Sequence, residues 1–334
     1  MKTIFVLGAL WLSARPLSRE VTLAFAPESG TTLRRTFEAH AELSLASLSR
    51  LEDGTEVEST DDVIDAGTEF TERIVVTDQI VEVEDGRPTK LQRTFDELGQ
   101  ETSDHQEDVE AQSEQTSDLA GSTVRFTWDA DDESYSVEAA EGEEIDPELL
   151  ERLTEDMDLR QILPEGDVEK GDEWEIPVEA YLYWMWPGGH LAFHAEGEEG
   201  EASGNDFYDQ VLENLEGSGR ARFLESREED GRELAVVRVE FEVRTLFETE
   251  MEADPEQERP ALTLRHEIER SVAGEVLWDV AAGHVHSAHL EADVSLVRAQ
   301  SWDDEDSEGR SVEVERRATL AGTYEYTLTV ECSE

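Results

Sequence analysis

The sequence predicts a mainly β protein: antiparallel curved sheets in a half-barrel or sandwich, with two similar halves as one variant, and one or two short helices. Three observations predict it. Long runs alternate apolar and polar residues with the period of a strand that is wet on one face. Asp-Gly turn signals at Asp53-Gly54, Asp85-Gly86 and Asp230-Gly231 punctuate those runs. No helical crossovers separate most of the runs, which argues against a parallel βαβ architecture.

Taken in order, Val21 to Phe25 reads as a strand that stops at Pro27-Glu-Ser-Gly30. Leu33, Arg35, Phe37, Ala39, Ala41, Leu43 and Leu45 then mark one face of a long strand, with Arg34, Glu38, Glu42 and Ser44 on the other. Glu69 to Val83 and Lys90 to Phe95 form the next hairpin. Gly99 to Ala120 has almost nothing to bury and reads as a mobile loop or a long hairpin arm. Val124 to Trp128 and Tyr135 to Val137 pair across an acidic turn. Asp146-Pro147-Glu148 starts a helix, with Asp as cap and Pro in the first turn; Leu149, Leu150, Leu153 and Met157 supply its apolar stripe. A second antiparallel series follows: Arg220 to Leu224, Leu234 to Leu246, Leu262 to Ser271, Glu275 to Val280, Val285 to Arg298, Ser311 to Leu320 and Thr323 to Glu331. Residues 195–206 and 254–260 read as linker and loop.

The segment boundaries that result are a leader over residues 1–14, an N-terminal β half over 15–140, a helix and aromatic hinge over 141–194, and a C-terminal β half over 195–334. In the leader, Lys2 precedes an apolar run of about ten residues, the length of a secretory h-region. That run is shorter than the roughly 20 residues a bilayer span needs. Export to the periplasm or outside the cell is the expectation, with no integral membrane segment.

The 334 residues carry 27 basic and 84 acidic side chains, a formal charge of −57, and the only lysines are Lys2, Lys90 and Lys170. Such a chain repels nucleic acid and anionic membrane surfaces, which removes both as partners. Acid excess with scarce lysine also fits a protein that works in high salt, where screening relieves self-repulsion. A single cysteine, Cys332, leaves no intrachain disulfide, so stability has to come from the core.

Three constellations are candidate sites. The aromatic cluster Tyr181, Tyr183, Trp184 and Trp186, closed by Pro187-Gly-Gly189 and followed by His190, is either core or the lining of a pocket for an apolar small molecule; an exposed patch for a protein partner is the third reading. His284 and His286 would share a strand face about 7 Å apart, within reach of one metal ion, although His-x-His is a loose signature and needs a third ligand. Asp304 to Gly309 with Glu315 approaches a calcium-loop pattern but lies between strands instead of helices, so a solvated hairpin tip is the simpler reading. Weak divalent-cation binding there, or at Asp129, Asp131 and Asp132, is the alternative. No nucleophile elbow, zinc-protease helix, phosphate loop or dinucleotide fingerprint occurs, and no cofactor is expected.

The order of Asp85-Gly86-Arg87-Pro88 with Arg93-Thr-Phe95-Asp96, Leu163-Pro164 with Gly171-Asp172-Glu-Trp174, and Gly274-Glu-Val-Leu-Trp278-Asp279 with Gly283 resembles that of exported bacterial proteins of unknown function. The resemblance spans most of the chain and implies an envelope or secreted protein with no assigned reaction, so it carries over no catalytic residues. At the level of fold, curved-sheet carriers of lipids or lipoproteins are a further analogy. The expected function is therefore non-enzymatic binding of an apolar ligand or protein partner on a concave sheet. A metal-dependent hydrolase using His284 and His286, or a structural envelope component, are the alternatives.

Overall fold

The alternation from Leu33 to Leu45 becomes strand β1 (Thr32–Glu52), whose odd-numbered residues Leu33, Arg35, Phe37, Ala39 and Ala41 are buried while Arg34, Glu38 and Glu42 are exposed. This computed structural model describes residues 20–60, 66–84, 86–106, 109–195, 205–253, 260–305 and 310–333. The leader, Asp85, the core of the calcium-like loop and most of the two expected linkers lie outside them.

Six further strands precede the hinge: β2 (Thr55–Thr60), β3 (Ala66–Glu84), β4 (Arg87–Gln106), β5 (Val109–Thr116), β6 (Thr123–Asp129) and β7 (Ser134–Ala139). Within and after it come β8 (Glu173–Ile176), the short helix α1 (Leu182–Met185), β9 (His194–Ala195) and helix α2 (Asn205–Glu213). The chain ends with β10 (Leu215–Glu229), β11 (Arg232–Met251), β12 (Leu262–Asp279), β13 (His284–Glu305) and β14 (Ser311–Ser333). Among the described residues these strands form one antiparallel sheet that is not closed into a barrel, in the order β7-β6-β4-β3-β1-β14-β13-β12-β11-β10-β8, with β2 paired to β1 and β5 paired to β4 and β9 off this path. β1 and β14 pair from Thr32↔Ser333 to Glu52↔Val314, so the N-terminal and C-terminal strand series join side by side at the centre of the sheet. Of the two architectures expected, the structure is the half-barrel: a single sheet curls around one core instead of two sheets facing each other.

Several local expectations change. Gly99 to Ala120 is the hairpin-arm alternative, β4 running on to Gln106 and β5 pairing back along it. Val21 to Phe25 is an extended segment outside the sheet ladder, tied by a bridge from Val21 to Val168 and by the bond from Ala26 N to Gly283 O. Its alternation is real, since Val21, Leu23 and Phe25 are buried against the core. The pairs 262–271 with 275–280, and 311–320 with 323–331, are each one strand that continues through a glycine. A Cβ on Gly322 would sit 1.8 Å from Glu42 O, and one on Gly274 would sit 2.1 Å from His289 O. Glycine there lets the neighbouring backbone press in and the sheet coil tightly; it does not end the strand.

The helix expected from 146 to 157 is a single 3-10 turn, Pro147–Leu149, with Asp146 capping it through a bond from Glu148 N to its Oδ1 at 3.0 Å. The remaining backbone groups are engaged by other partners: Thr154 N bonds Gly188 O, His190 N bonds Arg152 O, and Arg93 takes the carbonyls of Thr154 and Glu155 at 2.8 Å each. Competition from these fixed partners outweighs a modest helix preference. Segment 141–194 therefore packs on the inner face of the sheet as a plug, with Met157, Leu159, Ile162, Tyr181 and Trp184 buried in the same core as Phe95, Phe126, Phe223 and Phe241. Each such side chain contributes roughly 1.5–3 kcal/mol by leaving water. Its edge is secured by β8 pairing with β10 and by the turn at Glu169–Asp172 (Asp172 N to Glu169 O, 2.9 Å).

Candidate ligand-binding site

The register places residues in rows across the inner face. Ala41, Tyr324, Ala292, Val272 and Phe241 form one row; Leu43, Gly322, Val294, Arg270 and Val243 the next; Leu45, Leu320, Leu296, Ile268 and Thr245 the one after. No Asp or Glu stands at an inward position on β1 from 33 to 45, on β14 from 320 to 330, on β13 from 288 to 298, on β12 from 264 to 276 or on β11 from 235 to 247. The outward positions of the same strands carry Glu38, Glu42, Glu240, Glu242, Glu269, Asp293 and Glu325 among others. On these five strands the acid excess is thus confined to the convex face, whereas β3 turns Asp78 and Glu72 inward. The plug covers the rows up to Tyr326 and Tyr324. Beyond it Leu43, Leu45, Leu296 and Leu320 are only half-buried, an apolar floor that no element of the described chain covers completely and that gives way at the next row to Arg298 and Ala318.

The aromatic cluster lies where the plug meets this floor. Tyr181 is 2% exposed and packs on Phe241 at a ring separation of 5.8 Å, and Trp184 is 3% exposed. Tyr183 is half-buried and accepts a bond from Gln161 Nε2 at 2.7 Å. Trp186 packs at a tilt on Tyr208 of α2 at a ring separation of 4.6 Å, with His190 edge-on to the same ring at 5.2 Å. Burial pushes the His190 imidazole below its ordinary range, and nearby Arg152 adds to that, so the ring is neutral at neutral pH. The space between Tyr181, Met185, Trp186, Phe207 and Val211 is about 20 Å³, room for little more than one water. Tyr181 and Trp184 are therefore core in this conformation, and the open apolar surface begins just beyond them.

The histidine pair is divided by a β-bulge in the β12–β13 ladder, where Leu277 pairs with Ser287 but Trp278 with Val285. His284 is 1% exposed and its Nδ1 donates to Val285 O at 2.6 Å. His286 is half-buried with Nδ1 3.4 Å from Arg232 Nη1, and burial followed by that guanidinium pushes its pKa down. Among the described residues the geometry brings no third donor to these two rings. The His40, Glu42 and Glu69 side chains do have donor atoms within 4.8 Å of one another, but on the open convex face. At Asp129 the carboxylate accepts from Asp131 N (2.9 Å) and Asp132 N (3.3 Å), which makes it a turn anchor.

Two features escaped the sequence reading. The first is a buried ionic network under the plug. Arg93 Nε and Nη2 grip the two oxygens of Asp78 at 2.8 Å each; Arg35 bridges Asp78 and Asp158 at 2.6 Å each; Arg160 pairs with Glu155 and Asp156. Arg35, Asp78 and Arg93 stand in phase with the apolar residues of their strands, which was the available signal. Burial raises the Glu155 carboxyl to about 7 against the opposing pull of Arg160. The second is Arg270, alone among phenols. Its Nη1 donates to Tyr181 Oη at 2.5 Å and touches Met185 Sδ, and its guanidinium lies 5.8 Å from the Tyr181 ring and 5.9 Å from the Tyr324 ring. Across the face, Glu72 accepts from Gln100 Nε2 at 2.5 Å, and burial raises its carboxyl to about 7.

No protein-family model matches the chain, and no curated protein matches it. A solved structure from work on the asymmetric conductivity of engineered proteins aligns with 88% of this chain and 99% of its own at 11% identity, with a TM-score of 0.14. A likeness of that size carries no argument about fold or function.

Proposed function

We propose that this chain is an exported, non-enzymatic binding protein that holds an apolar ligand on the concave face, against the open end of the plug. The observation that supports it is the charge division of the sheet. In a chain with 84 acidic residues, five neighbouring strands keep their inward positions free of carboxylates, including those beyond the plug where Leu43, Leu45, Leu296 and Leu320 remain half-exposed. Acidic residues are cheap to place wherever water reaches, so excluding them from a wet surface points to an apolar occupant. Export rests on the leader-like pattern of residues 1–14.

The test is titration of the folded protein with Nile red, a neutral apolar dye. The reading requires saturable binding that Leu320→Glu on the inner face abolishes and Thr323→Glu on the outer face leaves intact. Absence of binding, or equal loss in both variants, would sink it.

A further inference from the structure

Resting on that reading, we infer that the ligand is an anionic amphiphile whose acidic head is bound by Arg270 at the plugged end of the trough while its chain runs outward over Leu296, Leu320 and Leu45. Arg270 is the exceptional cation where the plug meets the inner face; Arg298, two rows further along β13, also has no carboxylate partner among the described residues but is exposed to solvent. Arg35 and Arg93, buried under the same plug, and Arg160 within it each have one or more carboxylate partners. Arg270 has none among the described residues, and its Nε is shielded from solvent without an acceptor. What surrounds it is three phenols and a thioether: Tyr181 Oη takes one hydrogen, Tyr326 Oη donates to Met185 Sδ at 2.8 Å, and Tyr324 stacks on Tyr326 at 4.3 Å.

Holding a guanidinium half-buried with a donor unsatisfied is costly, and a carboxylate or phosphate oxygen removes that cost directly. The neighbouring groups favour the same occupant. Burial holds the phenols of Tyr324 and Tyr326 far above their ordinary range, so both stay neutral and neither repels an anion. Glu72, the acid on this face nearest Tyr324, is pushed up to about 7 by burial and so is partly protonated at neutral pH. Geometry sets the direction of the tail. Plug residues Tyr181 and Met185 stop the trough on one side of Arg270, while on the other the next row, roughly 7 Å along the strands, is Leu45, Leu320, Leu296 and Ile268. An acidic head at Arg270 therefore lays its chain on the half-exposed floor.

The experiment is displacement of Nile red from the full chain by three monomeric ligands with the same tail: oleate, 1-oleoyl-glycerol phosphate and oleyl alcohol. At least one of the two acids should compete about tenfold or more better than the alcohol, the worth of one charge-assisted contact, and the better acid identifies the head as carboxylate or phosphate. Arg270→Gln should erase that preference, so that within the variant the acids compete no better than the alcohol, its fold checked by circular dichroism and melting. If the alcohol competes as well as both acids in the wild-type chain, or if a preference for acid survives in Arg270→Gln, the inference fails while the apolar reading stands. If neither dye nor alcohol binds, the apolar reading itself fails. The wild-type comparison needs no variant, so a misfolded Arg270→Gln would not shelter the proposal.

Discussion

Arg93 and Asp78, on adjacent strands 15 residues apart in sequence, form a two-pronged ion pair with both oxygens at 2.8 Å, in a place water does not reach. Arg35 shares the same carboxylate, so Asp78 holds in place the two arginines that reach the plug at Asp158, Thr154 and Glu155. Asp78→Ala would leave two buried guanidinium groups facing one carboxylate fewer. The expected loss is about 3–5 kcal/mol of unfolding free energy, seen as a lower denaturant midpoint.

Glu72 gives a pH dependence with a definite sign. Its carboxyl is raised to about 7 in the folded chain from 4.5, so the folded state binds more protons than the unfolded state between those values. Stability from this group is full below about 4.5 and is lost as pH rises toward 7. Glu72→Gln should therefore melt close to wild type at pH 4 and be more stable than wild type at pH 8, by about 1–3 kcal/mol. Equal melting offsets at both pH values would show that the carboxyl is not held protonated.

A formal charge of −57 opposes the compact state through self-repulsion, which salt screens. The melting temperature should climb between about 0.1 M and 2 M KCl. For an acidic ligand the same screening predicts that affinity rises with salt, the reverse of ordinary ion pairing, because the long-range repulsion is screened more than the sheltered contact at Arg270. Affinity that falls with salt would mean the acid binds on the exposed surface.

Gly322 faces Glu42 O so closely that any side chain must push β1 and β14 apart at the centre of the sheet. Gly322→Val should fall in the severe tail of single substitutions, about 3 kcal/mol or more. Gly99→Val, in β4 with open space around the position, should be mild by comparison. Thermal melts of the two variants side by side check this.

Much of the fold was legible in the residues. The faces of β1 follow from its alternation, and Asp53-Gly54 (φ +47° and +73°) and Asp230-Gly231 (φ +50° and +78°) take the paired positive φ values that such hairpin turns require. Arg35 was even assigned to its inward face, yet nothing near it in sequence names Asp158, 123 residues away, as its partner. The glycines at 274 and 322 misled because a strand break and a strand bend use the same residue. The aromatic cluster was singled out, but whether it faced a cavity or a filled core depended on α2, which brings Tyr208 and Val211 against it and carries too short a pattern to be noticed.

Strand period, turn chemistry, which side of each strand is oily and how negative the surface is are written locally in the chain, because each depends on neighbours a few residues apart. That β1 lies beside β14, that the hinge becomes a plug, and that Arg270 meets phenols where Arg35 and Arg93 meet carboxylates emerge on folding. Those outcomes depend on which distant segments share a desolvated space, and chain order does not record that.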